Sequence, residues 1–371
     1  MDSQTSNVKA PRLQSLDILR GFTVAGMILV NNGYGESFVT LQHSKWNGMT
    51  PCDLVFPFFL FIMGISCYLS LSKSQFTPTR PVVMKVLRRT VLLFAIGLFI
   101  NWFHDAVKGD LLGFDHLRIW AVMQRIALCY CCVSLFALYA RHRYTIPVIF
   151  LLLAVYTVIL LVGNGYAEDA ITNIIAQADL NIFGYDHLYH KSPVDPEGLL
   201  GTIPSIAHVL LGFYCGRLIK QSKTVEHKAV NLFVVGSVCV LLGYLLTFGL
   251  PLNKRIWSPS YVLMTCGLAS LLQGLIMFVV DFKHEDDRFA VLRMPFQVCK
   301  VFGVNALALY VTSELLSILF SHFGINDAIY SVLHTVIPPL KWASVAYALT
   351  FVLINYLIGY ILYRKKIIIK L

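Results

Sequence analysis

Long, uninterrupted apolar stretches recur along the whole chain and constrain its fold more than any other feature. Hydrophobic residues make up 57% of the 371 residues and charged residues only 13%, whereas a soluble domain carries roughly a quarter charged residues. A bilayer core of about 30 Å requires about 20 apolar residues per helix. The runs lack the short polar–apolar alternation of barrel strands. The sequence therefore predicts an all-α, polytopic membrane protein, in which each helix pairs its own backbone groups.

We predict about ten transmembrane helices. The predicted spans are 17–35, 52–71, 86–103, 119–140, 145–163, 199–219, 229–249, 259–281, 298–321 and 342–363. The apolar stretch 330–340 is too short to cross and contains Pro338 and Pro339, which favours a re-entrant or interfacial segment. Because no linker divides the chain, we expect one transmembrane domain over residues 1–371, with a long outer loop at 163–198 and a basic tail at 364–371.

The basic residues indicate the orientation. If the N-terminus is cytoplasmic, the inner segments hold 22 Lys and Arg and the outer loops hold seven, with Arg125 inside a span. This bias follows the positive-inside rule, so we expect both termini on the cytoplasmic side. The net charge of +10 then reflects topology, and no separate basic face suggests a nucleic acid partner. No cleavable signal peptide is evident, and the first apolar run is expected to act as a retained anchor.

Side chains capable of chemistry gather around the first predicted outer loop. His43 lies in this loop, and Asn31 and Asp53 flank it at the ends of the first two spans. A histidine accepts protons near neutral pH, an amide can donate to a developing oxyanion, and a carboxylate can orient a histidine. The alternative for His43 is an interfacial histidine beside Trp46. Asp53 follows Thr50 by three positions, which also suits a helix N-terminal cap.

The same region carries a family resemblance. Its motif elements are Arg12-Leu13-x-Ser15-Leu16-Asp17-x-x-Arg20-Gly21, Val30-Asn31, His43-x-x-Trp46-Asn47-Gly48-x-Thr50-x-x-Asp53 and the run from Leu54 to Gly64. Later matching segments are Gln124-Arg125, Gly184 to His190, Asp195 to Ile203 and the basic C-terminal ending. This pattern resembles the heparan-α-glucosaminide N-acetyltransferase family. The chain lacks the extra N-terminal helix and lumenal domain of the lysosomal members, which favours a bacterial-type relative in the inner (plasma) membrane.

The resemblance implies an acetyltransferase that moves acetyl from cytosolic acetyl-CoA to the amino group of a glucosamine on the outer side. His43 would be the general base or would itself be acetylated; the sequence leaves both routes open. Asn31 would polarise the thioester carbonyl, with Asn32 as the alternative, and Asp53 would orient His43 or bind the sugar. The residues expected to bind acetyl-CoA are Arg12, Arg20, Arg125 and Lys370. The resemblance also suggests a homodimer.

Further polar residues are expected near the acceptor. Trp46 and Tyr34 are interpreted either as platforms for the sugar or as interfacial aromatics. Arg125 is expected to form a structural ion pair or to line the substrate path. The other residues expected near the sugar are Asn47, Glu314, His187, His190 and Asp195. For Glu314 the alternative is a partner for Arg125 or another cation. His208, inside a span, is expected to be a hydrogen-bonded core histidine.

No spacing is diagnostic of a metal site, and the nine cysteines include no CxxC pair. We therefore expect no metal and read the cysteines as packing residues. Two other functions remain open. One is a membrane O-acyltransferase of envelope glycans. The other is a sugar transporter, although transporters often distribute polar residues over both halves of the chain, whereas here they concentrate around the first two spans.

Overall fold

The computed structural model describes residues 13–189, 192–282 and 290–369, and these residues form helices and loops without any β-strand. The helices are α1 Gln14–Asn31, α2 Val55–Leu71, α3 Arg80–Val107, α4 Val122–Tyr139, α5 Thr145–Val162, α6 Ile174–Phe183, α7 Thr202–Gln221, α8 Val225–Leu246, α9 Pro259–Met277, α10 Ala290–Val304, α11 Ala306–His322, α12 Ile325–Val336 and α13 Leu340–Arg364. The all-α prediction is confirmed. Each predicted span coincides with a helix, except that 298–321 contains parts of two.

Seven of the described helices are long and apolar enough to cross a membrane: α2, α4, α5, α7, α8, α9 and α13. Helices α10 and α11 form a bent pair with an 83° angle between them, and an eighth crossing results if the pair is one broken span. The ninth predicted span is therefore not a straight helix, because the chain breaks at Asn305. The count of ten stays a prediction.

The helices divide into a central group and a peripheral group. The most apolar stretches of α2, α4, α7 and α9 are 61–72% buried, whereas those of α5, α8 and α13 are only 28% buried. Since the exposed side chains of the peripheral helices are largely apolar, these helices have the surface expected of lipid-facing helices. The central group carries the loops described below.

Loops from alternate connections contact one another at one end of the bundle. The Trp46 indole donates to the carbonyl of Tyr166, the Gly48 amide donates to Leu252, and Arg118 pairs with Asp195. These are all loops predicted to lie outside. At the opposite end, Arg217 donates to the carbonyl of His142 and Lys300 donates to Gln14. The alternation of loops between two ends matches the predicted threading, and the cytoplasmic identity of one end stays a prediction.

The segment predicted to be re-entrant or interfacial contains most of a short helix. Helix α12 spans Ile325–Val336 and packs between α11 and α13. Pro338 and Pro339 follow it, and α13 begins directly after them, because proline is tolerated just ahead of a helix but not within it. Tyr330 of α12 contacts Tyr34 from the first loop, so α12 belongs to the same end of the bundle as the first loop.

Candidate active site

His43 and Asp53 form a direct pair at the end of the bundle predicted to be outside. The Nδ1 atom of His43 lies 2.7 Å from Oδ1 of Asp53. The side chain of His43 is 46% exposed, whereas that of Asp53 is fully buried. An exposed ring on a buried carboxylate is the arrangement required of an oriented histidine, so the structure brings together two of the three residues predicted to be catalytic.

The Asp53 carboxylate is held by several donors besides His43. Its Oδ2 atom accepts from the backbone amides of Thr50 (3.0 Å) and Ser44 (3.1 Å) and from the Thr50 hydroxyl (3.1 Å). The Tyr261 hydroxyl of α9 donates to the backbone carbonyl of Asp53 at 2.5 Å. The capping role suggested by the Thr50–Asp53 spacing is present, so the carboxylate that closes the turn before α2 also orients His43.

A lysine that the sequence analysis did not single out completes this cluster. The Nζ atom of Lys254 lies 2.9 Å from Nδ1 of His43, 3.4 Å from its Nε2 and 3.4 Å from Oδ1 of Asp53. Lys254 follows α8, in a loop predicted to lie outside. Its separation of 211 positions from His43 hides the contact from any local pattern.

The contacts around Nδ1 indicate which ring nitrogen of His43 carries the proton. Asp53, Lys254 and the Cys52 Sγ atom (3.1 Å) all lie close to Nδ1 of His43. A ring nitrogen makes only one strong in-plane hydrogen bond, and the shortest contact, to an acceptor-only carboxylate, favours a proton on Nδ1. In the neutral ring, Nε2 then carries the lone pair and is the atom able to accept a proton or attack a carbonyl.

The two asparagines at the end of α1 differ in accessibility. The Asn31 side chain is exposed and donates to Oε1 of Glu314 on α11 at 3.4 Å. Asn32 is buried and donates to the carbonyl of Ile28 one turn earlier at 2.8 Å, so its amide serves its own helix. Within the described ranges, no hydrogen bond or ion pair joins Asn31 to His43. The structure therefore places the third predicted catalytic residue with Glu314.

Arg20 lies towards the other end of α1. It donates to Asp17 (2.9 Å), to the hydroxyl of Ser66 on α2 (2.9 Å) and to the carbonyl of Gly303 (3.4 Å). The C-terminal tail reaches the same place: the Asn305 side chain donates to the carbonyl of Ile367 and accepts from the amide of Ile369, both at 2.9 Å. Arg12 and Lys370, predicted to act with Arg20, lie outside the described residues.

Arg125 lies at the other end of the bundle from Arg20. It is fully buried near the start of α4, where its Nη2 atom donates to the carbonyl of Gly198 at 2.9 Å and its guanidinium lies 5.2 Å from the centre of the Trp257 ring. This placement separates Arg125 from Arg20, and a role for Arg125 in binding acetyl-CoA stays a prediction. Its position next to the 198–201 turn fits the alternative expectation, a residue near the acceptor.

Comparisons with known proteins decide the family. The family model described as heparan-alpha-glucosaminide N-acetyltransferase, catalytic, matches residues 12–246, which is well over half of the chain. The chain belongs to the heparan-α-glucosaminide N-acetyltransferase family. The human heparan-alpha-glucosaminide N-acetyltransferase is 29% identical over 97% of this chain, and the mouse protein is 27% identical over 99%. The chain spans about three-fifths of the length of these relatives, 60% and 62%.

The region matched to the heparan-α-glucosaminide N-acetyltransferase family holds most of the polar residues described at this end of the bundle. His43, Asp53 and Arg125 lie within residues 12–246, whereas Lys254 and Glu314 follow it. The matched catalytic region is therefore completed in three dimensions by side chains from later helices and loops. In the described part of the chain, no group of three or more His, Cys, Asp or Glu residues is arranged to hold a metal ion.

The outer loop of this family member carries a charge network beside the cluster. Arg118 pairs with Asp195 (2.8 Å) and Glu197 (2.9 Å) and lies over the ring of Tyr189. Burial opposes ionisation of Glu197, but the positive charges of Arg118, Arg125 and Lys254 outweigh it and hold the Glu197 pKa below its usual value. The network therefore lies within electrostatic reach of Lys254, and it fixes the loop above the site.

The aromatic residues expected at the sugar have structural surroundings. Trp46 is buried with Tyr156, Ile175 and Ile256, and its indole nitrogen donates to the carbonyl of Tyr166 at 3.0 Å. Loop side chains therefore cover the Trp46 ring, and a stacking role at the sugar stays a prediction.

Tyr34 is partly exposed, and its hydroxyl donates to Asp327 at 2.5 Å. Asn47 is exposed and accepts from Asn253 at 3.2 Å. His187 contacts the carbonyl of Leu117 at 2.7 Å, which ties two outer loops together. His190 lies outside the described residues. Inside the span of α7, His208 is fully buried beside Trp257. Neither of its ring nitrogens has a hydrogen-bond partner among the described residues, so the expected hydrogen-bonded state is not observed.

Proposed function

We propose that this chain is a transmembrane N-acetyltransferase that moves acetyl from acetyl-CoA to the amino group of a glucosamine at the opposite face. Membership of the heparan-α-glucosaminide N-acetyltransferase family supports the reaction class. The observation that carries the proposal is the 2.7 Å contact between a half-exposed His43 and a buried Asp53 inside the matched catalytic region. A histidine oriented in this way can act as a base or a nucleophile.

The arrangement of α1 supports transfer across the membrane. Arg20 and the C-terminal tail lie at one end of α1, and Asn31 lies at the other, eleven residues later. This separation corresponds to roughly 16 Å of helix rise. CoA phosphates would bind the basic residues at the Arg20 end, where Lys365 and Lys366 are exposed. The thioester would then extend along α1 towards the outer end, where the sugar enters.

The direct route requires one proton acceptor. The neutral amine of glucosamine attacks the thioester carbonyl, which forms a C–N bond and leaves negative charge on the carbonyl oxygen. His43 takes the amine proton at Nε2. The oxyanion then collapses to re-form the carbonyl and breaks the C–S bond, and CoA leaves as a thiolate that recovers the proton. Asp53 stabilises the imidazolium that forms during this step.

The second route divides the reaction in two. Nε2 of His43 attacks the thioester, CoA leaves as the thiolate, and the acetyl group is held on the ring. The glucosamine amine then attacks the acetyl-imidazole, the C–N bond to the ring breaks, and the amine proton passes to the CoA thiolate, which yields the amide, free histidine and the CoA thiol. Both routes depend on a lone pair at Nε2, and the Asp53 contact with Nδ1 favours this tautomer.

A product assay with a matched histidine control tests the proposal. His104 also pairs with a carboxylate, Asp105, at 2.9 Å, and its side chain is 50% exposed, close to the 46% of His43. We expect the purified wild type and His104→Ala to form N-acetylglucosamine from acetyl-CoA and glucosamine. His43→Ala should lose at least about 10³-fold and Asp53→Asn about 10²–10⁴-fold in kcat.

Glucose, which lacks the amine, is the acceptor control and should give no acetylated product. Equal acetylation of glucose would replace the N-acetyltransferase with an O-acyltransferase. Turnover of His43→Ala at the wild-type rate would refute the assignment of the catalytic histidine.

A further inference from the structure

Lys254 is held rigidly beside His43 by the loop between α8 and α9. The Gly48 amide donates to the carbonyl of Leu252 at 2.7 Å, and the buried Asn253 donates to the Asn47 side chain at 3.2 Å. Asn253 also accepts from the amide of Ile256 at 3.2 Å. The side chain of Lys254 is only 12% exposed. A long lysine side chain ordered in this way loses rotamer freedom, so its position is a built feature of the loop.

Neutralisation of Asp53 does not explain the position of the ammonium. Both carboxylate oxygens already accept from closer donors, at 2.7–3.1 Å, whereas Nζ of Lys254 lies 3.4 Å from Oδ1. The ammonium is nearer to the imidazole, at 2.9 Å from Nδ1. An ammonium bonded to Nδ1 in the ring plane would lie much farther than the observed 3.4 Å from Nε2. Nζ therefore lies against the face of the ring, within reach of the space around Nε2.

We propose, on the basis of the acetyltransferase function above, that Lys254 is a catalytic residue whose ammonium stabilises the oxyanion formed on the acetyl carbonyl. In the direct route the C–N bond forms next to Nε2, and in the two-step route the new bond is made by Nε2 itself. In both, the electron pair of the carbonyl π bond moves to oxygen and later returns as the C–S bond breaks. A fixed positive charge close to that oxygen lowers the energy of the intermediate.

This role is distinct from that of Asn31. The Asn31 amide donates to Glu314, whereas Lys254 contacts the ring that carries the reacting nitrogen. The positive charge of Lys254 also lowers the pKa of Glu197. The negative charges of Asp53 and Glu197 therefore partly balance the ammonium of Lys254. The ammonium of Lys254 thus lies closer to the His43 ring, at 2.9 Å, than to the Asp53 carboxylate, at 3.4 Å.

Three substitutions at one position test the role. Lys254→Met removes the charge at similar length, Lys254→Gln keeps a neutral donor, and Lys254→Arg keeps the charge. We expect kcat for N-acetylglucosamine formation to fall about 10²-fold in Lys254→Met and Lys254→Gln, as for loss of one oxyanion donor, and less than about 10-fold in Lys254→Arg. Lys45→Met, at an exposed lysine two positions after His43, is the matched control and should retain wild-type kcat.

Ligand binding separates catalysis from folding. The probe is the ketone analogue of acetyl-CoA in which a methylene replaces the thioester sulphur, because it binds without transferring acetyl. We expect each folded variant to bind it within about threefold of wild type. If Lys254→Met proves unfolded by its thermal transition, the comparison of Lys254→Arg with Lys254→Gln decides.

The outcomes are distinguishable from those of the proposed function. An active wild type together with a folded Lys254→Met of unchanged kcat would refute the role of Lys254 alone. A folded Lys254→Arg as slow as Lys254→Gln would also refute it, since charge would then not matter. A wild type that transfers no acetyl to glucosamine would refute the acetyltransferase and the lysine role together.

Discussion

Two buried aspartates at the end of the molecule predicted to be outside have very different surroundings. Asp53 accepts from His43, Ser44 and Thr50 and lies near a lysine. Asp179 of α6 is also buried, but among the described residues only its Oδ1 atom has a hydrogen-bond partner, the amide of Leu199 at 2.8 Å. Burial with few hydrogen-bond donors disfavours the charged form of a carboxylate. Asp53 therefore holds a histidine, whereas Asp179 is expected to make stability depend on pH.

Asp179 predicts a pH dependence of stability. Burial, with a smaller contribution from Asp195, raises its pKa to about 6, against the opposing effects of the Leu199 amide and Arg125. The folded state then binds more protons than the unfolded state between about pH 4 and 6, so stability falls as pH rises through this window and levels off above it. Asp179→Asn should flatten this slope and raise the free energy of unfolding at pH 7 by about 1–3 kcal/mol.

Thermal unfolding of the purified protein between pH 4 and 8 measures this effect. Asp186→Asn, at an exposed aspartate in the same outer segment, is the control and should leave the slope unchanged. An unaltered slope in Asp179→Asn would show that other groups set the pH response.

At the scale of helices, α1 and α10 cross with their backbones almost in contact. A Cβ atom on Gly21 would overlap the carbonyl oxygen of Cys299, and one on Gly303 would overlap that of Asp17. Small residues at such crossings allow close approach within membranes. The crossing places Arg20 against Gly303 and next to Asn305, where the α10–α11 bend receives the C-terminal tail. The proposed CoA end thus depends on a glycine contact.

Substitution at this crossing should affect both stability and the donor site. Gly303→Ala has to push the two helices apart, so we expect a loss of about 3 kcal/mol or more and a rise in KM for acetyl-CoA that exceeds any rise for glucosamine. Gly249→Ala is the control, because a Cβ there meets nothing within 4 Å. Thermal unfolding and steady-state kinetics measure the two effects, and equal changes in both KM values would argue against a donor site at this end.

At the scale of the whole molecule, the loops separate into two groups at opposite ends of the bundle, as the contacts of Trp46 and Arg118 at one end and Arg217 at the other show. The charge bias of 22 inner to seven outer basic residues predicts that the first group lies outside. The proposed reaction needs this polarity, because acetyl-CoA is supplied on one side and the sugar on the other.

Cysteine labelling tests the orientation. Lys45→Cys, in the first loop, should react with a membrane-impermeant maleimide in intact cells expressing the protein. Lys365→Cys, in the basic tail, should react only after permeabilisation, since both positions are exposed but on opposite sides. The wild type, whose nine cysteines are mostly buried, gives the background. Labelling in the reverse order would invert the topology and the direction of acetyl transfer.

The sequence by itself determined the helical membrane class, because long apolar runs leave the backbone no other solution in lipid. It also indicated the family, through the motif around His43 and Asp53, although it left open whether Asp53 orients His43 or binds the sugar. The positions of the long apolar helices followed from the same runs, but the short helices α6 and α12 and the break at Asn305 did not.

The tertiary structure decided which distant side chains join the site. Lys254 reaches His43 across 211 positions, and Asn31 meets Glu314 across 283. Trp46, interpreted from the sequence as a sugar platform or an interfacial aromatic, is buried, and its indole donates to the carbonyl of Tyr166. Such contacts arise from how separate helices pack and how their loops fold over one another. Hydropathy and spacing constrain each helix individually, but the choice of neighbour depends on the close packing of all of them.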